Sequence, residues 1–186
     1  MKIKDLLKTK KVTTSGFKAI SELAEYSEGT EEVVLSSAPP FILAEQGISE
    51  YYALDIPRGS TFSTAQDIID ADLTVRKYRI EHVVSASQMD LVIASRHQGT
   101  VEILINQYGA HHPELQVFDS VTSDQIAGKH VIGTLPPHLI AAAGAYTAVS
   151  IKNFDYTKDG DITGDELKER LIIAQSPIRV KEIGSH

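Results

Sequence analysis

The sequence predicts an α/β fold in which a mostly parallel sheet is covered by helices. Two observations carry this prediction. The second half alternates strand-like and helix-like segments, the usual pattern of a parallel sheet with helical connections. A strand, a turn through two prolines and a short helix also occur twice, as VVLSSAPPFILAEQG (33–47) and as VIGTLPPHLIAAAG (131–144). With 186 residues, 42% of them hydrophobic, the chain is long enough for one large domain or two small ones.

The elements of the second half have separate signals. Apolar or β-branched runs predict the strands. One helix begins at a pair of prolines and ends at Gly144. Thr163-x-x-Glu166 has the capping-box spacing that marks another helix start. We predict, in chain order, strand 90–95, helix 99–108, strand 115–121, strand 130–134, helix 137–144, strand 146–152, helix 164–173 and strand 178–183.

The repeated proline turn extends into a longer internal similarity. Further downstream YALDI (52–56) corresponds to TAVSI (147–151), Ser63-x-x-Gln66 to Thr163-x-x-Glu166, and YRIEHVVS (78–85) to IRVKEIGS (178–185). We interpret the chain as a tandem duplication, with a reduced copy at 1–88 and a fuller copy at 89–186. The alternative is that any α/β chain repeats strand, turn and helix.

The composition excludes several classes of function. The chain has no cysteine, which removes disulfides, thiolate catalysis and zinc sites built on cysteine. Its net charge of −7 argues against general affinity for DNA or RNA, because that affinity comes mainly from Lys and Arg beside phosphates. An anionic ligand would need a local positive pocket. There is no run of about 18 apolar residues and no apolar N-terminal leader, so we expect a cytoplasmic protein that does not span a membrane.

Two polar segments follow predicted strands of the second half. They are Ser95-Arg96-His97 and Gly133-Thr134-Leu135-Pro136. Ligands of parallel sheets bind outside the carboxyl ends of the strands, so we expect both segments to line one crevice. His138, in the first turn of the following helix, is a further candidate, although its counterpart Phe41 makes apolar packing an equal alternative. Ser36 and Ser37, in the corresponding turn of the first copy, are ligand-binding candidates as well.

These segments carry a family resemblance. SRHQGTVEIL and VIGTLPPHLIAAAG, in this order and followed by a strand and DITGDELKER, resemble the Csx-sixteen family of CRISPR-associated proteins, found beside type III systems. The resemblance covers roughly residues 89–175. It implies a Rossmann-like domain that binds a cyclic oligoadenylate, with cyclic tetra-adenylate as first choice, and cuts it as a ring nuclease to end the antiviral response. Similar messenger-binding proteins work as dimers, so two copies in one chain would form a pseudo-dimer. Further homodimerisation stays open.

Arg96 and His97 are the candidate catalytic residues of this reaction. Metal-independent cleavage by the ribose 2′-hydroxyl gives a 2′,3′-cyclic phosphate, and needs proton transfer and donors for the developing charge. Arg96 would bind phosphate oxygens and His97 would move a proton, while Ser95 and Thr134 would add hydrogen bonds. The amides after Gly133 could add donors, but prolines 136 and 137 have no N–H, so we expect binding to depend mainly on side chains. We expect no cofactor and no metal. Aligning Gly16 with Gly99 places Thr13 and Thr14 opposite Arg96 and His97, so one copy would be competent.

Other interpretations compete with this one. Arg96 could form a surface ion pair, and His97 could be solvated or structural. The stretch DYTKDGDITGDE (155–166) places acidic and hydroxyl side chains at nearly every ligand position of a calcium-binding EF-hand loop. The β-branched segment before it favours a solvated turn instead. The same crevice could also serve a non-catalytic sponge for the messenger, or be vestigial in a protein with a structural role.

Overall fold

The chain folds into two compact units. A computed structural model describes residues 1–57, 59–155 and 157–184. Unit 1 comprises Met1–Ile80 together with the C-terminal segment from Lys181, and unit 2 comprises Glu81–Val180. Helices and strands are mixed throughout and most of the described strand pairs are parallel, so the predicted α/β class is confirmed.

In unit 1, the described residues of Met1–Ile80 form four strands and four helices. The strands are β1 (Lys10–Ser15), β2 (Glu31–Ser36), β3 (Glu50–Leu54) and β4 (Val75–His82), the last of which ends just beyond the unit. The helices are α1 (Ile3–Thr9), α2 (Lys18–Glu22), α3 (Pro40–Glu45) and α4 (Ala65–Ala71), with a 3₁₀ turn at Leu23–Tyr26. Strand β2 is parallel to β1 and to β3, and β4 is antiparallel to β3. Fully buried apolar side chains form the core: Ile3, Leu6, Ile20, Leu23, Leu35 and Ile68.

The strands described for unit 2 are β5 (Leu91–Ala94), β6 (Gln116–Phe118), β7 (His130–Gly133), β8 (Ala145–Ile151), β9 (Leu171–Ile173) and β10 (Ile178–Ile183), the last of which continues beyond the unit. Four of them lie side by side in the order β6-β5-β7-β8. The helices described for the unit are α5 (Gln98–Tyr108), α6 (Ser123–Ile126), α7 (Pro137–Ile140) and α8 (Gly164–Arg170), with 3₁₀ turns at Ala86–Gln88 and Gly109–His111. Strands β5 to β8 are mutually parallel, whereas β9 and β10 run antiparallel to β8.

Most predicted elements of the second half are present, with four differences. The predicted strand 115–121 is only Gln116–Phe118. The predicted helix 137–144 is a single turn that ends at Ile140. The predicted helix 164–173 ends at Arg170, because Leu171–Ile173 pairs with β8 as a strand. Helices α1 and α6 were not predicted. Ser185, at the end of the compared segment 178–185, and the following His186 lie outside the described residues.

The predicted capping boxes also differ from those in the structure. In unit 1 the cap is Thr64 with Asp67, one residue later than the predicted Ser63 and Gln66. In unit 2 Thr163 occupies the N-cap position of α8, as expected, but its side chain caps no backbone N–H. Sequence spacing therefore located both helix starts more accurately than it identified the capping side chains.

The two units share a strand arrangement. In each, three consecutive strands of the sheet are parallel and the fourth is antiparallel: β1-β2-β3-β4 in unit 1 and β5-β7-β8-β10 in unit 2. The N–H of Ser37 donates to the carbonyl of Ser15 (3.1 Å), as the N–H of Thr134 does to that of Ala94 (3.0 Å). These features support the duplication, which stays a prediction, as does its boundary at residue 88.

The register corrects one detail of the predicted alignment. Thr13 and Thr14 lie inside β1, opposite Val34 and Leu35, and not after the strand where Arg96 and His97 stand in unit 2. The residues that follow β1 are Gly16, Phe17 and Lys18. Unit 1 therefore lacks an Arg-His pair for a different reason than the alignment gave.

No helix within the described ranges is long and apolar enough to cross a membrane.

Candidate functional site

A cleft of about 780 Å³ opens at the carboxyl ends of the parallel strands of unit 2. Its lining comes from the segments that follow β5, β6, β7 and β8. Both predicted segments contribute, since the lining includes Ser95, Arg96, His97, Thr134, Leu135 and Pro136. The sheet brings them together because Ala94 and Gly133 are paired residues at the ends of β5 and β7. This is where a parallel sheet places its ligands.

Arg96 is an exposed cation on the cleft wall. Among residues 1–57, 59–155 and 157–184, its guanidinium forms no ion pair or hydrogen bond. The surface ion pair considered as an alternative is therefore not formed in the described part of the chain. The planar guanidinium keeps its five N–H donors for an anionic ligand.

His97 is the N-cap of helix α5. Its Nδ1 accepts the backbone N–H of Thr100 at 3.2 Å and lies 3.0 Å from the Thr100 hydroxyl. The N–H of His97 in turn donates to the hydroxyl oxygen of Ser95 (3.2 Å). Because Nδ1 accepts a hydrogen bond, the proton of the neutral ring resides on Nε2.

The Nε2 atom of His97 is buried and has no hydrogen-bond partner in the described chain. The ring meets Phe154 edge to face, with 5.9 Å between ring centres. A buried polar atom without a partner costs about 1–3 kcal/mol, so it needs a reason. A ligand atom that accepts a hydrogen bond from Nε2 inside the cleft would supply one.

The turn at 133–136 is a rigid floor for the cleft. Gly133 has φ +147°, and a Cβ there would lie 1.9 Å from the carbonyl oxygen of Ala94, so this close approach requires glycine. The buried phenol of Tyr146 donates to the Gly133 carbonyl (2.9 Å) and accepts the N–H of Leu135 (3.3 Å). Burial raises the pKa of Tyr146 to about 12, so the phenol stays a donor at neutral pH.

The amides after Gly133 have even less to offer a ligand than the two prolines predicted. The N–H of Thr134 is engaged by Ala94 and that of Leu135 by Tyr146, while prolines 136 and 137 have none. The Thr134 hydroxyl donates to the Val149 carbonyl (3.0 Å), which leaves it as an acceptor towards a ligand. Binding of an anion must therefore come from side chains.

The segment 152–163 forms another wall through Phe154 and Gly160. Arg170, on α8, fixes this segment at three points: its guanidinium donates to the carbonyls of Lys152 (2.9 Å) and Asn153 (2.6 Å) and to the carboxylate of Asp159 (2.7 Å). These contacts hold the backbone next to Phe154, the residue that meets His97.

The EF-hand-like spacing of this segment does not form an EF-hand. Strand β8 enters it, not a helix, as the β-branched sequence predicted. The Asp159 carboxylate accepts from Arg170 and from the N–H of Asp155 (2.9 Å), and Asp155 accepts from both the N–H (2.8 Å) and the hydroxyl (2.6 Å) of Thr157. Within the described residues, no cluster of three or more metal-ligating His, Asp or Glu side chains is found.

Some predicted ligand-binding residues lie elsewhere. His138 is exposed on α7 and is not part of the cleft lining. Gly133 is buried and does not line the cleft either. In unit 1 Ser36 is 1% exposed, and its Oγ accepts the N–H of Ala38 (2.9 Å) and shares a hydrogen bond with Ser15 (2.6 Å). Ser37 is exposed, and its Oγ accepts the N–H of Phe17 (3.4 Å). Ser36 thus stabilises a turn.

Three residues of the site were missed by the sequence analysis. Asp119 follows β6 and lines the cleft, but the predicted strand 115–121 ran over it. Phe154 lies between the predicted strand 146–152 and the stretch 155–166 interpreted as a solvated turn, and Tyr146 lies in a predicted strand whose apolar pattern gave no sign of its hydroxyl contacts. A stricter use of strand ends would have found Asp119, because an acidic residue directly after a short apolar run marks such an end.

Comparison with known proteins gives one family match. Residues 92–180 match the family described as "Putative CRISPR-associated protein (Cas_VVA1548)". The matched segment is slightly under half of the chain and contains every residue that lines the cleft. It supports a CRISPR-associated protein, while the narrower Csx-sixteen assignment stays a prediction. No curated protein and no solved structure matches the chain.

Proposed function

We propose that this CRISPR-associated chain binds a cyclic oligoadenylate in the cleft of unit 2 and cleaves it without a metal ion. Cyclic tetra-adenylate is the first candidate, and its removal would end a type III antiviral response. One observation carries the proposal: a cleft holds an exposed arginine beside a buried imidazole N–H, and neither has an ion-pair or hydrogen-bond partner among the described residues. Both groups suit a phosphodiester, and the family match supports the CRISPR setting.

Binding would use the two kinds of surface that the cleft provides. The Arg96 fork suits two non-bridging phosphate oxygens, and the Ser95 hydroxyl, whose oxygen accepts from His97, still has its own proton to donate. Leu139, Val149 and Phe154 supply apolar wall for adenine faces. With a chain charge of −7, a local cation of this kind is what attracts an anion.

The contacts of His97 support a specific role for it in the reaction. With Nδ1 accepting from Thr100, the neutral ring donates from Nε2. In this proposal it stabilises charge on a phosphoryl oxygen, in place of the proton transfer predicted from the sequence. A neutral imidazole can donate a hydrogen bond to a developing oxyanion and keep its own proton.

The proposed reaction is an intramolecular displacement. The ribose 2′-oxygen attacks the adjacent phosphorus, its proton passes to water, and the bond from phosphorus to the 5′-oxygen breaks. The 5′-oxygen takes a proton from water, which leaves a 2′,3′-cyclic phosphate and a 5′-hydroxyl. Arg96 and His97 would hold the non-bridging oxygens and stabilise the added charge of the phosphorane.

The test is incubation of the protein with cyclic tri-, tetra- and hexa-adenylate in EDTA, followed by denaturation and chromatography. We expect linear products from the wild type, and loss of most turnover in His97→Asn and Arg96→Gln. Arg179→Gln, which changes an exposed arginine outside the cleft lining, is the matched control and should retain activity. If the wild type neither cuts nor retains any of the three rings, the proposal is wrong.

A second candidate is a sponge that binds the messenger and keeps it intact. The same His97 contact favours it, because an Nδ1 engaged by Thr100 is not free to accept a proton from a ribose hydroxyl. The experiment separates the two functions: a sponge returns an unbroken ring after denaturation, whereas a ring nuclease returns linear products.

The duplication bears on stoichiometry. Unit 1 has Gly16, Phe17 and Lys18 where unit 2 has the Arg-His segment, so we propose one competent cleft in each chain. The pseudo-dimer and any further homodimer stay predictions. Isothermal titration with wild-type protein would give the number of rings bound for each chain.

A further inference from the structure

Asp119 is a second charged residue on the cleft wall. It directly follows β6, whose last residue, Phe118, pairs with Ala94 at the end of β5. The N–H of Ser95 donates to the Phe118 carbonyl (3.1 Å), so the register continues to the end of both strands. Asp119 is therefore beside Ser95, at the carboxyl ends of neighbouring parallel strands.

The Asp119 carboxylate is exposed, and in the described ranges of the chain it forms no ion pair and no hydrogen bond. Arg96 lies in the same cleft, yet the two opposite charges do not pair with each other. Each is left for a ligand. An ionised carboxylate only accepts hydrogen bonds and repels phosphate, so its ligand group is a neutral donor such as a hydroxyl.

The position in the sheet favours a sugar hydroxyl. In parallel sheets that bind nucleotides, the phosphate lies at the helix that follows the first strand, and an acidic side chain after the adjacent strand accepts from ribose. Here Arg96 and His97 stand between β5 and α5, and Asp119 stands after the adjacent β6. A ribonucleotide whose phosphate contacts Arg96 would present its sugar towards Asp119.

We propose that Asp119 accepts a hydrogen bond from a ribose 2′-hydroxyl and makes the cleft selective for ribonucleotide rings over their deoxy counterparts. This inference rests on the proposed function and extends it to substrate selection. It also assigns Arg96 and Asp119 to different parts of one nucleotide, phosphate and sugar.

The test measures equilibrium binding at 4 °C in EDTA, with ring integrity checked by chromatography. The probes are cyclic tetra-adenylate, the same ring built from 2′-deoxyadenosine, and a ribose ring built from inosine. The variants are Asp119→Ala and Asp119→Asn. Asp124→Ala, which removes the same charge from an exposed aspartate outside the cleft lining, is the control for a general change in charge.

We expect the wild type and Asp124→Ala to prefer the ribose ring by about tenfold or more, the usual worth of a hydrogen bond to a charged group. Asp119→Ala should bind both rings within about twofold of each other, and Asp119→Asn should lie between, because its amide oxygen still accepts. If Asp119→Ala retains the wild-type preference, the inference is overturned while the proposed function stands. If it instead loses only the preference for adenine over inosine, the carboxylate contacts the base and the inference is equally wrong. A wild type that binds no ring overturns the proposed function and this inference with it.

Discussion

The imidazole of His97 and the backbone N–H of Thr100 form the cap of helix α5, at a distance of 3.2 Å. One ring nitrogen thus stabilises the helix, while the other, Nε2, is buried and has no hydrogen-bond partner in the part of the chain that the structure describes. The two nitrogens have different tasks, and substitutions can separate them.

His97→Ala and His97→Asn should therefore differ in stability but not in function. Alanine removes the cap and should lower the free energy of unfolding by about 1 kcal/mol, whereas asparagine, a favoured N-cap residue, should restore most of it. Neither variant has the Nε2 donor, so both should lose ring cleavage. Urea denaturation and the cleavage assay provide the two measurements. Full activity in His97→Asn would show that the histidine serves as a cap alone.

Tyr146→Phe should loosen the floor of the cleft. It removes a buried hydroxyl that donates to Gly133 and accepts from Leu135, so each of these two buried backbone groups loses a hydrogen bond. We expect a loss of about 1–3 kcal/mol in the free energy of unfolding. Tyr108→Phe is the control, because the Tyr108 hydroxyl makes no hydrogen bond to the described part of the chain. Equal losses in the two variants would contradict the role of Tyr146.

The sequence was informative wherever a local pattern decides the structure. The apolar runs at 90–95, 130–134 and 146–152 became strands, and their parallel pairing placed Arg96 and Thr134 in one cleft. The proline turn was also recognisable, since Pro136 and Pro137 restrict the backbone by themselves.

The rest depends on contacts between distant residues. Nothing in the pattern of β8 shows that the Tyr146 hydroxyl reaches the carbonyl of Gly133. The sequence alignment, which has no strand register, placed Thr13 and Thr14 opposite Arg96 and His97, although both threonines lie inside β1. The packing of Gly99, where a Cβ would lie 2.8 Å from the Ile162 carbonyl, likewise depends on the folded chain. Partners of this kind are set by tertiary structure.

His130 should make stability depend on pH. Burial, with a smaller effect from nearby His112, lowers the pKa of His130 from 6.5 to about 4 in the folded protein. The unfolded chain therefore binds a proton more readily, and stability present above pH 6.5 should be lost as the pH falls towards 4. His130→Gln keeps a partner for the Thr147 hydroxyl but cannot titrate in this range.

The measurement is urea denaturation at several pH values between 4 and 7 for the wild type, His130→Gln and the exposed His138→Gln. We expect the pH dependence of the unfolding free energy to be shallower in His130→Gln by up to one proton taken up on unfolding, and to match the wild type in His138→Gln. Parallel curves for all three proteins would show that His130 titrates alike in both states.

Arg170→Gln should release the segment that carries Phe154. The guanidinium donates to the carbonyls of Lys152 and Asn153, and hydrogen bonding to it holds the pKa of the Asp159 carboxyl below its ordinary value. A glutamine cannot make all three contacts, so trypsin should cleave after Lys158 several-fold faster, as mass spectrometry can measure. Arg179→Gln is the control, because it also removes one arginine, but an exposed one, and it should leave this rate unchanged. Equal cleavage after Lys158 in both variants would show that Arg170 does not hold the segment. In the ring assay the released Phe154 should weaken ring binding more than the rate of cutting, because Arg96 and His97 are still in place.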